Sequence, residues 1–343
     1  MNVAIVGATG AVGEVLIQLL HERDFPVDSL QLHASARSAG KRMTFGDRTL
    51  PVRDVATADF AGVDVAFFAA GGDAAAEHGA RARAAGAIVI DKSSRFRLDP
   101  DVPLVVPEVN GHALAGVAAG GMVASPNCST VQLVMLLHPL QQAFGLARVN
   151  IATYQAVSGA GSSGIATLAA ETTEILNLKS LAAPKTFAAQ IAFNVVPRVE
   201  RMGTDGFTTE EEKLIAESRR LLALPGLGIN PTCVRVPVFF GHGQAVHVEL
   251  SRPASLDEVH AALVAMPGLR VEMDVDAVAT PVGDAVGQDE VVVSRIRRDP
   301  SHPCGFDFWT VSDNTRKGAA LNSVQIAEQL LPAIGQRIVT TNL

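Results

Sequence analysis

Cysteine is scarce in this chain, and the little there is lies too far apart to build a framework. Cys128, Cys233 and Cys304 are the three in 343 residues, odd in number and without a CxxC pair. That argues against a disulfide scaffold and against a zinc site, and no metal is expected. Long apolar runs are missing too, as is a charged leader with a small-residue cleavage site, so the expectation is a cytoplasmic protein with no membrane partner. Basic tracts are also lacking. Lys and Arg number 28 against 35 Asp and Glu, the formal net charge is −7, and no helix is basic, so nucleic acid is not an expected partner. Neither an internal repeat nor a low-complexity segment is present.

What the chain does have is aliphatic bulk. It is 48% hydrophobic and rich in Ala, Gly and Val, which suits an α/β architecture with buried parallel strands. At 343 residues it exceeds one core and fits two domains. The first part alternates strand and helix: strands at 63–69 and 87–91, a helix at 73–85, and short strands at 104–106 and 122–124. This predicts a doubly wound parallel sheet. Beyond Cys128 the texture changes to longer strands of mixed alternation, at 149–154, 234–240, 246–251 and 290–297, with helical stretches between them. That predicts an α+β domain with a large sheet that need not be parallel, followed by a last helix from Arg316.

The N-terminus carries a nucleotide signature. Asn2–Val6 reads as a strand, Gly7-Ala-Thr-Gly10-Ala-Val-Gly13 as a turn, and Val12, Leu16, Leu19 and Leu20 as one face of a helix. In that context Gly7 permits the tight turn, Gly10 lets a pyrophosphate approach the backbone, and Gly13 lets helix and strand pack closely. A strand at 30–34 follows. Where an NAD site places an acid, the chain runs into Ser35, Arg37, Ser38 and Lys41. Two hydroxyls and two cations suit a 2′-phosphate, so the expected cofactor is NADP.

A second signature surrounds Cys128, in Ser125-Pro-Asn-Cys-Ser-Thr130, at the junction of a short strand and a helix running to Phe144. Backbone N–H groups and the helix dipole at such a junction stabilise a thiolate and offer oxyanion donors. A lone cysteine is also an ordinary small apolar residue, so its partners matter. Gln155 stands at a strand end before a glycine-rich turn. Arg235 interrupts an apolar run, where it needs an anion or an internal salt bridge. His242, between Gly241 and Gly243, reads as a sterically open proton carrier or as a plain surface turn.

Five stretches occur in order: Gly-Ala-Thr-Gly-Ala-Val-Gly, Ser-Pro-Asn-Cys-Ser-Thr, Tyr-Gln-Ala-Val-Ser-Gly-Ala-Gly, Cys-Val-Arg-Val-Pro-Val and Val-Ser-Asp-Asn-Thr-Arg-Lys-Gly. Together they resemble the bacterial aspartate-β-semialdehyde dehydrogenases, over nearly the whole chain. The resemblance implies NADPH-dependent reductive dephosphorylation of L-4-aspartyl phosphate to L-aspartate 4-semialdehyde, feeding lysine, threonine, methionine and diaminopimelate synthesis. It implies a homodimer whose partners are a small-molecule substrate and inorganic phosphate. The domain expectation is an NADP-binding Rossmann domain at 1–127, completed by a C-terminal helix 316–343, and a catalytic and dimerisation domain at 128–315. By the same resemblance Cys128 is the nucleophile that forms an acyl-thioester, His242 the acid/base that protonates the departing group, and Gln155 the residue that orients the substrate. Arg235 grips the α-carboxylate, Glu210 meets the α-amine, and Arg97 and Lys213 hold phosphate. Thr9, Gly10, Ala11, Val12, Arg37, Ser38, Ser158, Gly159 and Asn314 contact the cofactor. The chain departs from the usual pattern of the family at Lys92, Arg95, Ser162 and Gly243. Two other readings remain: a reductase of a related acyl phosphate such as N-acetyl-glutamyl phosphate, and a non-catalytic nucleotide-binding paralogue. Glu210 speaks against an N-acylated substrate, and the joint presence of Cys128, Gln155, Arg235 and His242 against loss of catalysis.

Overall fold

The apolar, β-branched start of the chain forms β1 (Asn2–Val6), and the amphipathic stretch behind the glycine turn forms α1 (Ala11–Glu22). In the computed structural model, which describes residues 1–341, there follow β2 (Ser29–Ala34), β3 (Arg42–Phe45), β4 (Arg48–Asp54), β5 (Val65–Phe68), α2 (Gly72–Ala84), β6 (Ile88–Asp91), α3 (Pro107–Asn110) and β7 (Met122–Ala124). The chain then runs through α4 (Cys128–Phe144), β8 (Leu146–Gln155), α5 (Gly161–Leu176), α6 (Thr209–Leu221), β9 (Gly228–Arg235), β10 (His242–Leu250) and α7 (Leu256–Val264). It closes with β11 (Leu269–Val271), β12 (Val291–Arg298), β13 (Gly305–Ser312) and α8 (Leu321–Thr341). Two compact units result, one of Met1–Asn127 with Ala319–Leu343, the other of Cys128–Gly318. The C-terminal segment expected at 316–343 begins with a π-helical turn, Arg316–Ala320, that leads into α8, and residues 342 and 343 lie outside the described residues.

Among the described residues the first unit holds a seven-stranded sheet in the order β3-β4-β2-β1-β5-β6-β7, parallel except for the β3–β4 hairpin. Strand order reverses at β1, and the crevice at such a switch point is where doubly wound sheets bind ligands. Val3, Ile5, Leu16, Leu20, Phe67 and Ile88 fill its core together with Val324 and Ala327 of α8. The short strand expected at 104–106 is a single bridge from Leu104 to Ala124.

The second unit carries a mixed six-stranded sheet in the order β11-β12-β13-β10-β8-β9. β8 is parallel to β9 and β11 to β12, and the other pairs are antiparallel. α4 packs against β8, β10 and β13. Two sequence expectations are corrected here, and one strand is added. The strand expected at 234–240 is β9, which stops at Arg235; Ile229, Pro231, Cys233 and Arg235 alternate inward with a period of two. Beyond it Pro237 has no N–H to pair, and Val238 N–H turns back to Val236 O. His242 is not an open turn but the first residue of β10, with 1% of its surface exposed. β13 was not read at all, although Phe306, Phe308 and Thr310 alternate inward along it.

Candidate active site

Cys128 is the first residue of α4 and is half-buried, with its Sγ 3.4 Å from His242 Nε2. The histidine is held from behind: the backbone N–H of Ala156 donates to His242 Nδ1 at 3.0 Å. Ala156 directly follows Gln155, the last residue of β8, so the strand end fixes the imidazole that faces the thiol. Gln155 Nε2 donates to Ser129 Oγ at 2.8 Å and to Glu210 Oε1 at 3.2 Å, tying the start of α4 to α6.

Glu210 sits in the first turn of α6, whose start is fixed by a capping box between Thr208 and Glu211. Glu211 also accepts from Cys233 N–H of β9 at 2.8 Å. The Glu210 carboxylate is buried and meets Lys213 Nζ at 3.4 Å, and Lys213 meets Glu200 at 2.5 Å. Arg235, 5% exposed, donates from Nη1 to Ala156 O at 2.7 Å and lies against the Phe187 ring, while its Nε has no protein partner. Burial works against the Arg235 charge, and Glu210 first, then Cys128, oppose that effect. A buried guanidinium with donors to spare is a natural seat for a carboxylate. The glycine at 159 is required by this arrangement, because a Cβ there would lie 2.7 Å from Arg235 Nη1 and 3.5 Å from the His242 ring.

The loop after β13 closes the cluster. Asp313 accepts from Thr315 N–H and Oγ1, and this turn presents Asn314, whose Oδ1 accepts from Gly241 N–H at 2.9 Å and whose Nδ2 donates to Ser158 Oγ at 2.9 Å. A Cβ on Gly318 would stand 2.8 Å from Cys128 Cβ, so the backbone of this turn presses directly on Cys128. Sequence reasoning did not single out Gly318, Ser129 or the Ala156 amide. Gly318 closes the Asp-Asn-Thr-Arg-Lys-Gly stretch, which was its only signal, and a backbone amide leaves none.

The other two cysteines are in different surroundings. Cys233 is fully buried in β9, where desolvation first and the Glu210 charge next push its thiol well above the usual range; Cys304 is partly exposed. Gly243 is explained by packing, since a Cβ there would strike the Trp309 ring at 2.7 Å. Among the described residues no group of His, Cys, Asp and Glu could hold a metal ion.

The remaining predicted residues belong to the first unit. Gly7 has φ +91°, and a Cβ on it would meet the Ala69 carbonyl carbon at 2.7 Å; one on Gly13 would meet Gly7 O at 2.2 Å. Gly10, by contrast, has only Gly7 O at 3.4 Å before it and caps α1 with no side chain. The turn therefore offers an uncovered helix N-terminus, flanked by Thr9, Ala11 and Val12, that fits a dinucleotide pyrophosphate. At the end of β2, Ser35 and Arg37 are exposed and Ser38 half-buried, with no acid among them. Arg97 is buried and donates to Ser125 O at 3.0 Å and Lys92 O at 2.7 Å, and Lys92 Nζ reaches Pro126 O at 2.5 Å. Both cations thus grip the backbone of Ser125-Pro126, just ahead of Cys128.

Residues 2–117 match the family described as semialdehyde dehydrogenase, NAD binding domain, and residues 137–317 the semialdehyde dehydrogenase dimerisation domain. The chain is similar to aspartate-semialdehyde dehydrogenase of Legionella pneumophila, 46% identical over 96% of this chain and 95% of that one. It is 42% identical to the Bacillus subtilis protein of the same name, over 96% and 97%. Among solved structures it resembles aspartate semialdehyde dehydrogenase II from Vibrio cholerae complexed with ASA, with a TM-score of 0.93 and 46% identity over 96% and 98% of the two chains. It also resembles aspartate semialdehyde dehydrogenase with NADP from Candida albicans, with a TM-score of 0.74 and 26% identity over 97% and 98%.

Proposed function

The chain belongs to the semialdehyde dehydrogenase family of oxidoreductases, and on that premise we propose that it reduces L-4-aspartyl phosphate to L-aspartate 4-semialdehyde, reversibly, with NADPH. The observation that carries this reading is the contact of Cys128 Sγ with His242 Nε2 at 3.4 Å, at a helix N-terminus and beside Gln155, Glu210 and Arg235. The Cys128 thiolate attacks the acyl carbon, the carbon–oxygen bond to phosphate breaks, and an acyl-thioester remains on sulfur. Arg97 and Lys213 take the phosphate charge. Arg235 grips the α-carboxylate, Glu210 pairs with the α-amine, Gln155 orients the substrate, and His242 is the acid/base that protonates the departing group. NADP would be held by Gly7, Thr9, Gly10, Ala11, Val12, Gly13, Ser35, Arg37 and Ser38, with Ser158, Gly159 and Asn314 as further contacts. When bound, its nicotinamide supplies the hydride that turns the thioester into an aldehyde.

The buried carboxylate of Glu210 favours this substrate over N-acetyl-glutamyl phosphate, since an acetylated amine offers it no charge to meet. The product is a branch-point precursor of lysine, threonine, methionine and diaminopimelate, made by a cytoplasmic homodimer. One assay tests the reading: NADPH formation from L-aspartate 4-semialdehyde, NADP and phosphate, with N-acetyl-glutamate semialdehyde as competitor. Turnover should require all three components and ignore the competitor; preference for the acetylated aldehyde would overturn the substrate assignment. NADP should bind more tightly than NAD, and Arg37→Ala should remove ~1–3 kcal/mol of that difference, the scale of a hydrogen bond to a charged group. Equal affinity of the unaltered protein for both would refute the NADP assignment.

A further inference from the structure

Positive charge is unevenly spread along this chain. The whole sequence carries −7, yet the stretch from Ser35 to Asp54 holds Arg37, Lys41, Arg42, Arg48 and Arg53 against Asp47 and Asp54, a local balance of +3. The register of the sheet decides where those cations lie. Val6 pairs with His33, and His33 with Arg53, so Arg53 is two strands from the residue that leads into the glycine turn, ~10 Å at ordinary strand spacing. His33 supports that turn directly, its carbonyl accepting from Gly7 N–H at 2.8 Å and from Ala8 N–H at 3.0 Å. Lys41 stands opposite Val52, next to Arg53, and its carbonyl accepts from Val52 N–H at 2.8 Å. The Lys41 and Arg53 side chains are exposed, and among the described residues neither pairs with a carboxylate.

Arg81 of α2 completes the group. Its guanidinium donates to Val55 O, Ala56 O and Ala58 O at 3.3, 3.2 and 2.6 Å, so backbone carbonyls hold it, and among the described residues no carboxylate pairs with it. The charge of this group is felt inside the fold: burial first, then Arg53 and Arg81, push the pKa of the His33 imidazole down to about 4. Arg42 and Arg48 are directed elsewhere. Arg42 reaches Thr49 O at 3.1 Å. Arg48 lies over the Phe45 ring at 5.0 Å, five residues and ~17 Å back along β4 from Arg53.

We propose that Arg53, Lys41 and Arg81 form a positive rim that draws the phosphates of the dinucleotide onto the glycine turn, raising the rate of NADP capture through their field and not by contact. The proposal rests on the reading of that turn as the NADP site. A chain of net charge −7 repels a polyanion at long range, and a local reversal of sign beside the turn offsets that repulsion. At ~0.1 M salt the Debye length is about 10 Å, which reaches from Arg53 to the turn and falls short of it from Arg48. Steering of this kind changes the association rate and leaves dissociation alone.

Stopped-flow binding of NADPH to the full-length protein, followed by the fluorescence of the nucleotide, tests the rim. At ~50 mM salt Arg53→Glu should lower kon by about 5- to 10-fold with koff within about twofold, and the loss should shrink below ~2-fold at ~0.5 M. Arg48→Glu makes the same change of charge at the far end of β4 and should lower kon by less than ~2-fold. NADH, which lacks the 2′-phosphate, should lose less than NADPH. Equal effects of the two variants, or a loss that persists at high salt, would overturn the proposal. So would a rise in koff with kon unchanged, which would make Arg53 a contact. Unaltered protein that binds neither nucleotide would remove the NADP reading and the rim with it, whereas NADPH binding at a rate indifferent to salt would overturn the rim alone.

Discussion

The inward face of the six-stranded sheet has two ends of opposite character. At one end Gln155, His242 and Ser312 lie side by side, followed by the row Thr153, Gln244 and Thr310. At the other end the rows are Ile151, Val246 and Phe308, then Val149, Val248 and Phe306. The helix above follows suit. Ser129 and Gln132 at the start of α4 bond to the polar rows, Gln155 Nε2 to Ser129 Oγ and Gln132 Nε2 to Thr310 Oγ1 at 2.8 Å each, before the helix turns to buried leucines from Leu133 on. One sheet therefore separates chemistry from cohesion along its strands. At the first end Gln155 and Gln244 bond to Ser129 and Gln132 to Thr310, while the buried Ser312 hydroxyl has no hydrogen-bond partner. Burial of apolar area at the second end contributes the stability that holding such groups requires.

That separation can be broken at either end. The largest expected effect is at the polar end: Cys128→Ala should lower kcat by at least ~10⁴-fold, the scale of losing a covalent nucleophile, with the melting temperature nearly unchanged. Cys233→Ala, two strands away and sealed from solvent, should leave kcat within about twofold, as activity assays on the folded fractions would show. At the apolar end Phe308→Ala should cost ~3–5 kcal/mol in a denaturant titration while activity per folded molecule is kept. A fall in kcat with stability intact would contradict the division of labour.

Smaller effects sharpen the comparison within the polar end. Arg235→Lys keeps the charge but loses the planar fork, and should lower kcat/KM for the semialdehyde by ~10²-fold with little effect on the phosphate KM. If only the phosphate dependence changed, the two anion sites would be assigned the wrong way round. Gly318→Ala forces a methyl against Cys128 Cβ, which stood at 2.8 Å from that position, and should lower kcat by about 10- to 100-fold through displacement of the nucleophile. An unchanged kcat would mean the turn yields without moving Cys128.

The sequence exposed some of this and hid the rest for physical reasons. The doubly wound sheet and its glycine turn were legible because a strand, a turn and an amphipathic helix each leave a local period, and the turn needs Gly7 at φ +91°. The mixed second sheet was legible as a class but not strand by strand. Its register depends on partners far away in the chain, and an apolar run at 234–240 looked more like a strand than the true one, Gly228–Arg235, with a proline inside it. Chemistry-bearing residue types could be listed, yet not their partners: nothing in the sequence says that Glu210 meets Gln155, or that Gly159 is small because Arg235 needs the space. His242 shows the limit most plainly. Two flanking glycines suggested an open, solvated ring, whereas backbone pairing buries it and the Ala156 amide, just past the end of β8, faces its Nδ1.

The central claim is a covalent acyl bond to Cys128, and intact-protein mass spectrometry can read it directly. The protein is mixed with L-aspartate 4-semialdehyde and NADP in the absence of phosphate, then quenched in acid. The account predicts one equivalent of NADPH and a single aspartyl adduct, mapped by peptide digestion to Cys128 and absent in Cys128→Ala. NADPH formation without an adduct, or an adduct on another residue, would contradict it.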